Sequence, residues 1–172
     1  SSNVEGQAAR QYWSLLLGKD FRRNRDSDGI NAMLNYGYTV LRALVARQVM
    51  AAGLHPGLPL HHANEGNAMR LVDDLMEPFR PLVDATVRRL SDFGVTALDV
   101  PPRRELALLG TRSLRTAQGI SPVSIVVQRC AVSLARVYEK QASALELPDT
   151  KRSTLASLWD KPRVQASDEE EA

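Results

Sequence analysis

The chain has 172 residues, enough for one medium domain with a real core and too few to expect two. Hydrophobic residues at 44% and charged residues at 24% exclude global disorder, while aromatics at only 5%, beside abundant Ala, Leu, Val and Arg, favour helices over sheets. Net charge is +2, and a lone cysteine, Cys130, excludes a disulfide framework and a cysteine-rich zinc module.

A first helix is predicted over 4–17, with Ala8, Ala9, Tyr12, Trp13, Leu16 and Leu17 as its apolar stripe and Gly18 closing it. GKDFRRNRDSDG follows as a polar, cation-rich loop. A second helix is expected over 31–52. Its polar positions Asn31, Asn35, Thr39 and Arg42 form one narrow strip on an otherwise apolar surface, the pattern of a helix in the middle of a bundle. LHPGLPLHHA is a constrained loop with two prolines, after which Asn64 or Asn67 can cap a helix through Leu71, Val72, Leu75 and Met76. Pro78 and Pro81 interrupt or kink that helix, and a further one runs from Leu82 to Phe93. Pro101 and Pro102 introduce a short helix over 103–109, and Ser121 with Pro122 reads as cap and first turn of a helix reaching about Ala144. No strand pattern longer than a few residues is visible. Leu155, Leu158 and Trp159 can make one docked turn. These features predict an all-α helical domain over 1–160 and a disordered acidic tail over 161–172.

No apolar run reaches the roughly 18 residues of a membrane span, and SSNVEGQAAR lacks the basic start and apolar centre of a signal peptide. A soluble cytoplasmic protein without a membrane partner is therefore expected. Four acids fall in the last five residues, which leaves 22 cations against 16 acids, or +6, on the rest of the chain. Eighteen of those cations are Arg, whose planar fork suits phosphate and gives a nucleic-acid partner weight, although Arg usage can equally reflect genome composition.

The stretch HHANEGNAMRLVDDLMEPFRP carries the richest chemistry. On a helix, Asp74 and Glu77 stand three apart and Asp73 and Glu77 four apart, so they can share a face. Two carboxylates and a histidine from the adjoining loop supply oxygen and nitrogen ligands suited to Mg²⁺ or Mn²⁺. The same spacing also suits a solvated helix face, with Arg70 pairing Asp74. HExxH, GxSxG, a phosphate loop and a dinucleotide fingerprint are all missing from the sequence.

NAMLNYGYTVLRALVARQVMAAGLHPG, then HHAN, then LVDDLMEPFRPLVD, resembles the CRISPR-associated integrase family, the DNA-cutting and joining subunit of spacer acquisition, in its type II branch. EGQAARQYW and GISPVSIVVQRCAVSLARVY match the same family in order and spacing, so the resemblance covers roughly 4–148. It implies that Glu5, His62 and Glu77 are metal ligands and catalytic residues, with Mg²⁺ or Mn²⁺ as cofactor. His61 competes with His62, which directly precedes Ala-Asn. Asp74 becomes an auxiliary carboxylate, and Arg22, Arg23 and Arg25 become candidate DNA contacts, against a solvated loop as the alternative. The implied partners are double-stranded DNA (captured fragment and CRISPR repeat), a second copy in a homodimer, and a small second adaptation protein bridging two dimers. Because the family carries a β-rich domain ahead of this helical one, the chain reads as a catalytic-domain fragment. The alternative from a different class is a DNA-binding or assembly module without catalysis.

Overall fold

The computed structural model describes residues 2–61 and 66–159, so the expected acidic tail lies outside the described residues. Helix α2, Ile30–Ala51, is the axis of the fold. Around it stand α3 (Arg70–Met76), α4 (Arg80–Asp92), α5 (Val100–Ala107) and α6 (Val123–Tyr138). Met33, Leu34, Leu41, Val45 and Val49 recur at four-, seven- and eight-residue steps and are all but fully buried, as a central helix requires. Burying each of these side chains contributes roughly 1.5–3 kcal/mol. Gly37 lies where α2 meets α4 and α5. A Cβ there would stand 2.5 Å from Val83 Cγ1 and 3.2 Å from Leu106 Cδ2, so the close approach depends on glycine.

The two prolines after α3 mark an interruption of the helix, as expected, and α4 begins at Arg80. Pro78 lies in a single 3₁₀ turn, Glu77–Phe79, and Pro81 in the first turn of α4, where its missing N–H forfeits no intrahelical bond. Phe79 is fully buried and pins this junction to the core.

Helix α1 (Ser2–Leu17) departs from its predicted packing. Trp13 and Leu17 reach the core, but Ala8 and Ala9 are exposed and Tyr12 is 42% exposed. Only the last turns of α1 lie against the body, so half of the expected stripe is exposed among the described residues.

Several boundaries also differ from the sequence reading. Pro101 and Pro102 sit inside the first turn of α5 rather than ahead of it, which moves the helix to Val100–Ala107. Asn67 does not cap α3; Met69 holds that position without a side-chain bond, and Asn64 lies outside the described residues. Ser121 is no cap either. It is buried in a short antiparallel hairpin, β1 (Ser113–Thr116) with β2 (Gly119–Pro122), in which Leu114 pairs with Ser121. The domain remains helical overall, with this hairpin as the one sheet among the described residues. Helix α6 stops at Tyr138 instead of Ala144, because Lys140 takes a left-handed φ of 61° and the amides of Gln141 and Ala142 fold back onto the Arg136 carbonyl. The docked turn is present as α7 (Arg152–Ala156) and a 3₁₀ turn, Ser157–Trp159. Leu158 is buried, and Ser157 Oγ accepts a hydrogen bond from the Arg115 amide of β1.

Candidate active site

The carboxylates of α3 have separate tasks. Asp73 is held from α2: Arg42 donates to it through Nε at 2.6 Å and Nη2 at 3.2 Å, and Asn67 Nδ2 donates at 2.6 Å. It braces two helices and is not left on a solvated face. Asp74 Oδ2 accepts the backbone amides of Leu60 at 2.7 Å and His61 at 3.0 Å. Its carboxylate therefore fastens the incoming loop to α3, one residue ahead of His62. Arg70 directs its Nε to the Gly57 carbonyl at 3.1 Å and so braces the same loop from its other end.

Glu77 is the carboxylate that stays accessible. Its side chain is 48% exposed, and its ionic neighbour Arg80 stands with Nε 3.2 Å from Oε1 without forming a hydrogen bond. Such a half-exposed pairing is worth little, so a cation can compete for this carboxylate. The apolar residues Leu71, Val72, Leu75 and Met76 point the other way, into the core, as the spacing predicts. Among the described residues no group of three or more His, Cys, Asp or Glu side chains forms a metal cluster. His62 and the Glu5 side chain lie outside the described residues, so of the expected ligands the structure presents Glu77 and the backbone of α1 that carries position 5.

Helix α1 meets α4 through Tyr12, whose phenol donates to Asp84 Oδ2 at 2.5 Å, and through Arg88 Nη1, which donates to the Leu16 carbonyl. Tyr38 of α2 donates to the other oxygen of Asp84. Asp84 is 4% exposed, and burial pushes its carboxyl above the usual carboxylate range although both phenols and the nearby Arg80 and Arg23 favour the ion. Both phenols are pushed up as well, first by burial and also by the carboxylate beside them.

The polar strip of α2 organises the arginine loop. Arg23 donates to Asn31 Oδ1 at 3.0 Å and Asn35 Oδ1 at 2.6 Å, while the two amide groups donate back to the carbonyls of Arg22 and Arg25. Arg23 is thus a structural clamp. Arg22, also expected to be free for a ligand, spends Nη1 on the carbonyls of Lys19 and Phe21 but remains exposed, as does Arg25. A groove of ≈ 680 Å³ opens between α1 and this loop, lined by Arg10, Trp13, Lys19, Phe21, Arg22 and Arg23 among others. Arg10 and Lys19 are additions to the cation set read from the loop alone. Their signal in the sequence is a cation on the helix preceding a cation-rich loop.

The end of α3, the loop that leads to position 62, and α1, which carries position 5, all belong to the first hundred residues. Residues 2–100, which contain all three, match the family described as CRISPR associated protein Cas1. The chain belongs to the Cas1 family. It is 38% identical, over 87% of its length, to the CRISPR-associated endonuclease Cas1 of Neisseria meningitidis serogroup C (strain 8013), of which it covers 50%. A Cas1 endonuclease of Pyrobaculum aerophilum is 34% identical over 80% of the chain and 46% of that relative. Among solved structures, a casposase bound to integration product is similar with a TM-score of 0.67 and 26% identity, over 88% of this chain and 50% of that one. The chain spans about half the length of these Cas1 relatives. Its helical architecture agrees with the helical Cas1 domain that the motifs imply. No helix among the described residues is long and apolar enough to cross a membrane.

Proposed function

We propose that this chain carries the active centre of a metal-dependent DNA endonuclease and integrase of CRISPR adaptation, which joins a captured DNA fragment to a CRISPR repeat. The observation that carries this reading is the Asp74 clamp, which draws residues 60 and 61, the two that precede position 62 in the sequence, onto the helix that ends beside Glu77. Membership of the Cas1 family, relatives named as endonucleases, and a casposase neighbour named with an integration product support the reaction class.

Glu5, His62 and Glu77 would hold Mg²⁺ or Mn²⁺. Glu77 suits that role, because Asp73 and Asp74 are engaged elsewhere while Glu77 offers an accessible, weakly paired carboxylate, and a second carboxylate with an imidazole is a donor set that such cations accept. When bound, the cation supplies Lewis-acid polarisation of a phosphoryl oxygen and charge stabilisation for the leaving 3′ oxygen. With water as nucleophile the outcome is strand cutting; with the 3′-hydroxyl of a captured fragment it is transesterification. Asp74 keeps the histidine loop in place. Arg22 and Arg25, joined by Arg10 and Lys19 along the groove, hold backbone phosphates, and Arg23 keeps that loop in register. The working assembly contains double-stranded DNA, a second copy of the chain and a small second adaptation protein, in the cytoplasm.

The test is a cutting and strand-transfer assay on labelled duplex with Mg²⁺ or Mn²⁺, using an assembly that supplies both protein partners. Metal-dependent cutting and joining are expected, and His62→Ala or Glu77→Ala should abolish both with the helical circular dichroism unchanged. Full activity in either variant, with ordinary metal dependence, would show that the ligands are misassigned.

A further inference from the structure

Asp84 is a buried carboxylate to which the ligand set above gives no task. Its two oxygens accept from phenols on two different helices, Tyr12 of α1 and Tyr38 of α2, while Asp84 itself belongs to α4. A buried carboxylate is costly unless its lone pairs are filled, so this bridge is a strong reason for the three helices to keep one arrangement. The set extends to the candidate metal centre. The Arg80 guanidinium lies over the Tyr38 ring, 5.0 Å from its centroid, and its Nε stands 3.2 Å from Glu77 Oε1. One connected group of side chains therefore runs from Glu77 through Arg80, Tyr38 and Asp84 to Tyr12.

Helix α1 needs such a fastening. Its described side chains before Tyr12 are exposed, whereas Trp13, Leu17 and the Arg88 contact to Leu16 hold only its last turn and a half. Position 5 stands seven residues before Tyr12, about 10 Å up the helix axis. A tilt of about 10° at Tyr12 would carry position 5 through about 2 Å, some tenfold beyond the roughly 0.2 Å within which metal–ligand distances are held.

We infer that the hydrogen bond between Tyr12 and Asp84 sets the direction of α1 and thereby positions Glu5 against Glu77. Tyr12 and Asp84 are positioning residues for the metal centre, which rests on the ligand reading given above. Tyr12→Phe removes one hydroxyl from a side chain that is 42% exposed, so the fold survives it. Asp84→Asn is the conservative rescue: its amide oxygen accepts from one phenol, its amide nitrogen donates to the other, and the bridge persists without charge.

The test pairs a distance with a metal titration on the full chain. Spin labels at Ala9→Cys and Ala43→Cys, both exposed positions on α1 and α2, report the direction of α1 in the parent, Tyr12→Phe and Asp84→Asn backgrounds. Mn²⁺ affinity is measured in the same three backgrounds without labels. A narrow distance distribution is expected for the parent and for Asp84→Asn, with about a twofold broadening in Tyr12→Phe and Mn²⁺ affinity about tenfold or more weaker in that variant alone. An unchanged distribution in Tyr12→Phe, or a parent that is already broad, overturns the inference. Broadening with unaltered Mn²⁺ affinity also overturns it, because the bond would then be structural only. A Glu77→Ala control separates the two levels: if Glu77→Ala binds Mn²⁺ as well as the parent does, the ligand assignment itself fails.

Discussion

Asp74 gives the most direct handle on how the candidate site is held together. Removing its carboxylate with Asp74→Ala deletes two hydrogen bonds, to the amides of Leu60 at 2.7 Å and His61 at 3.0 Å. Hydrogen bonds to a charged group are worth about 1.5–3 kcal/mol each when well shielded. Leu60 is 47% exposed, so water competes here and the pair together is worth about 1–2 kcal/mol. That corresponds to about a 5- to 30-fold rise in the opening equilibrium of the loop. Native-state amide exchange reads it residue by residue: the amides of Leu60 and His61 should lose protection by that factor, while those of Leu41 and Val45 in α2 keep theirs. Asp74→Asn, which retains an acceptor oxygen but no charge, should fall between parent and Ala. Unchanged protection at residues 60 and 61 in Asp74→Ala would refute the clamp and, with it, the main support for the proposed pairing of His62 with Glu77.

Gly37→Ala should destabilise the chain by about 1–3 kcal/mol in urea unfolding despite alanine's better helix propensity, because the new methyl meets Val83 at 2.5 Å; a neutral result would mean that α4 gives way easily. Asp84 has a carboxyl pKa raised by burial, so the folded chain binds its proton more readily than the unfolded one does. Stability should therefore rise as pH falls from neutral toward the ordinary carboxylate value near 4, relative to Asp84→Asn, and a difference between the two that is flat with pH would contradict the burial argument. Duplex DNA binding by the chain should be insensitive to sequence and steeply weakened by salt, and deleting residues from Asp168 onward should strengthen it. Salt-independent affinity, or no gain on deletion, would remove the electrostatic basis for the arginine groove.

What the sequence reveals depends on the distance over which each interaction acts. Helix α2 is legible because Met33, Leu34, Leu41, Val45 and Val49 repeat with the helical period, and the burial of Leu71, Val72, Leu75 and Met76 follows from the same spacing. The hairpin is not, since two four-residue strands joined through Ala117 and Gln118 leave too few alternations to register. The division of labour in the DDLME turn is legible only in part. Spacing places Asp74 and Glu77 together, but the partners that distinguish them lie elsewhere: loop amides 13 and 14 residues upstream for Asp74, and Arg42 on α2 for Asp73. Tyr12 and Tyr38 reach Asp84 across 72 and 46 residues, a convergence that only the packing of α1, α2 and α4 creates. The polar strip of α2 stands between these cases. Asn31 and Asn35 are visible as a strip, yet their use as anchors for Arg23 and the loop carbonyls emerges only from the fold.

The central claim is that Glu5, His62 and Glu77 form one divalent-cation site, and calorimetric titration of the chain with Mn²⁺ tests it most directly. The parent is expected to bind a single Mn²⁺, with Glu5→Gln, His62→Ala and Glu77→Gln each weakening it by about 100-fold or more while the helical circular dichroism stays unchanged, as the loss of one of three protein ligands requires. Retention of full Mn²⁺ affinity by any one of the three variants would contradict the claim.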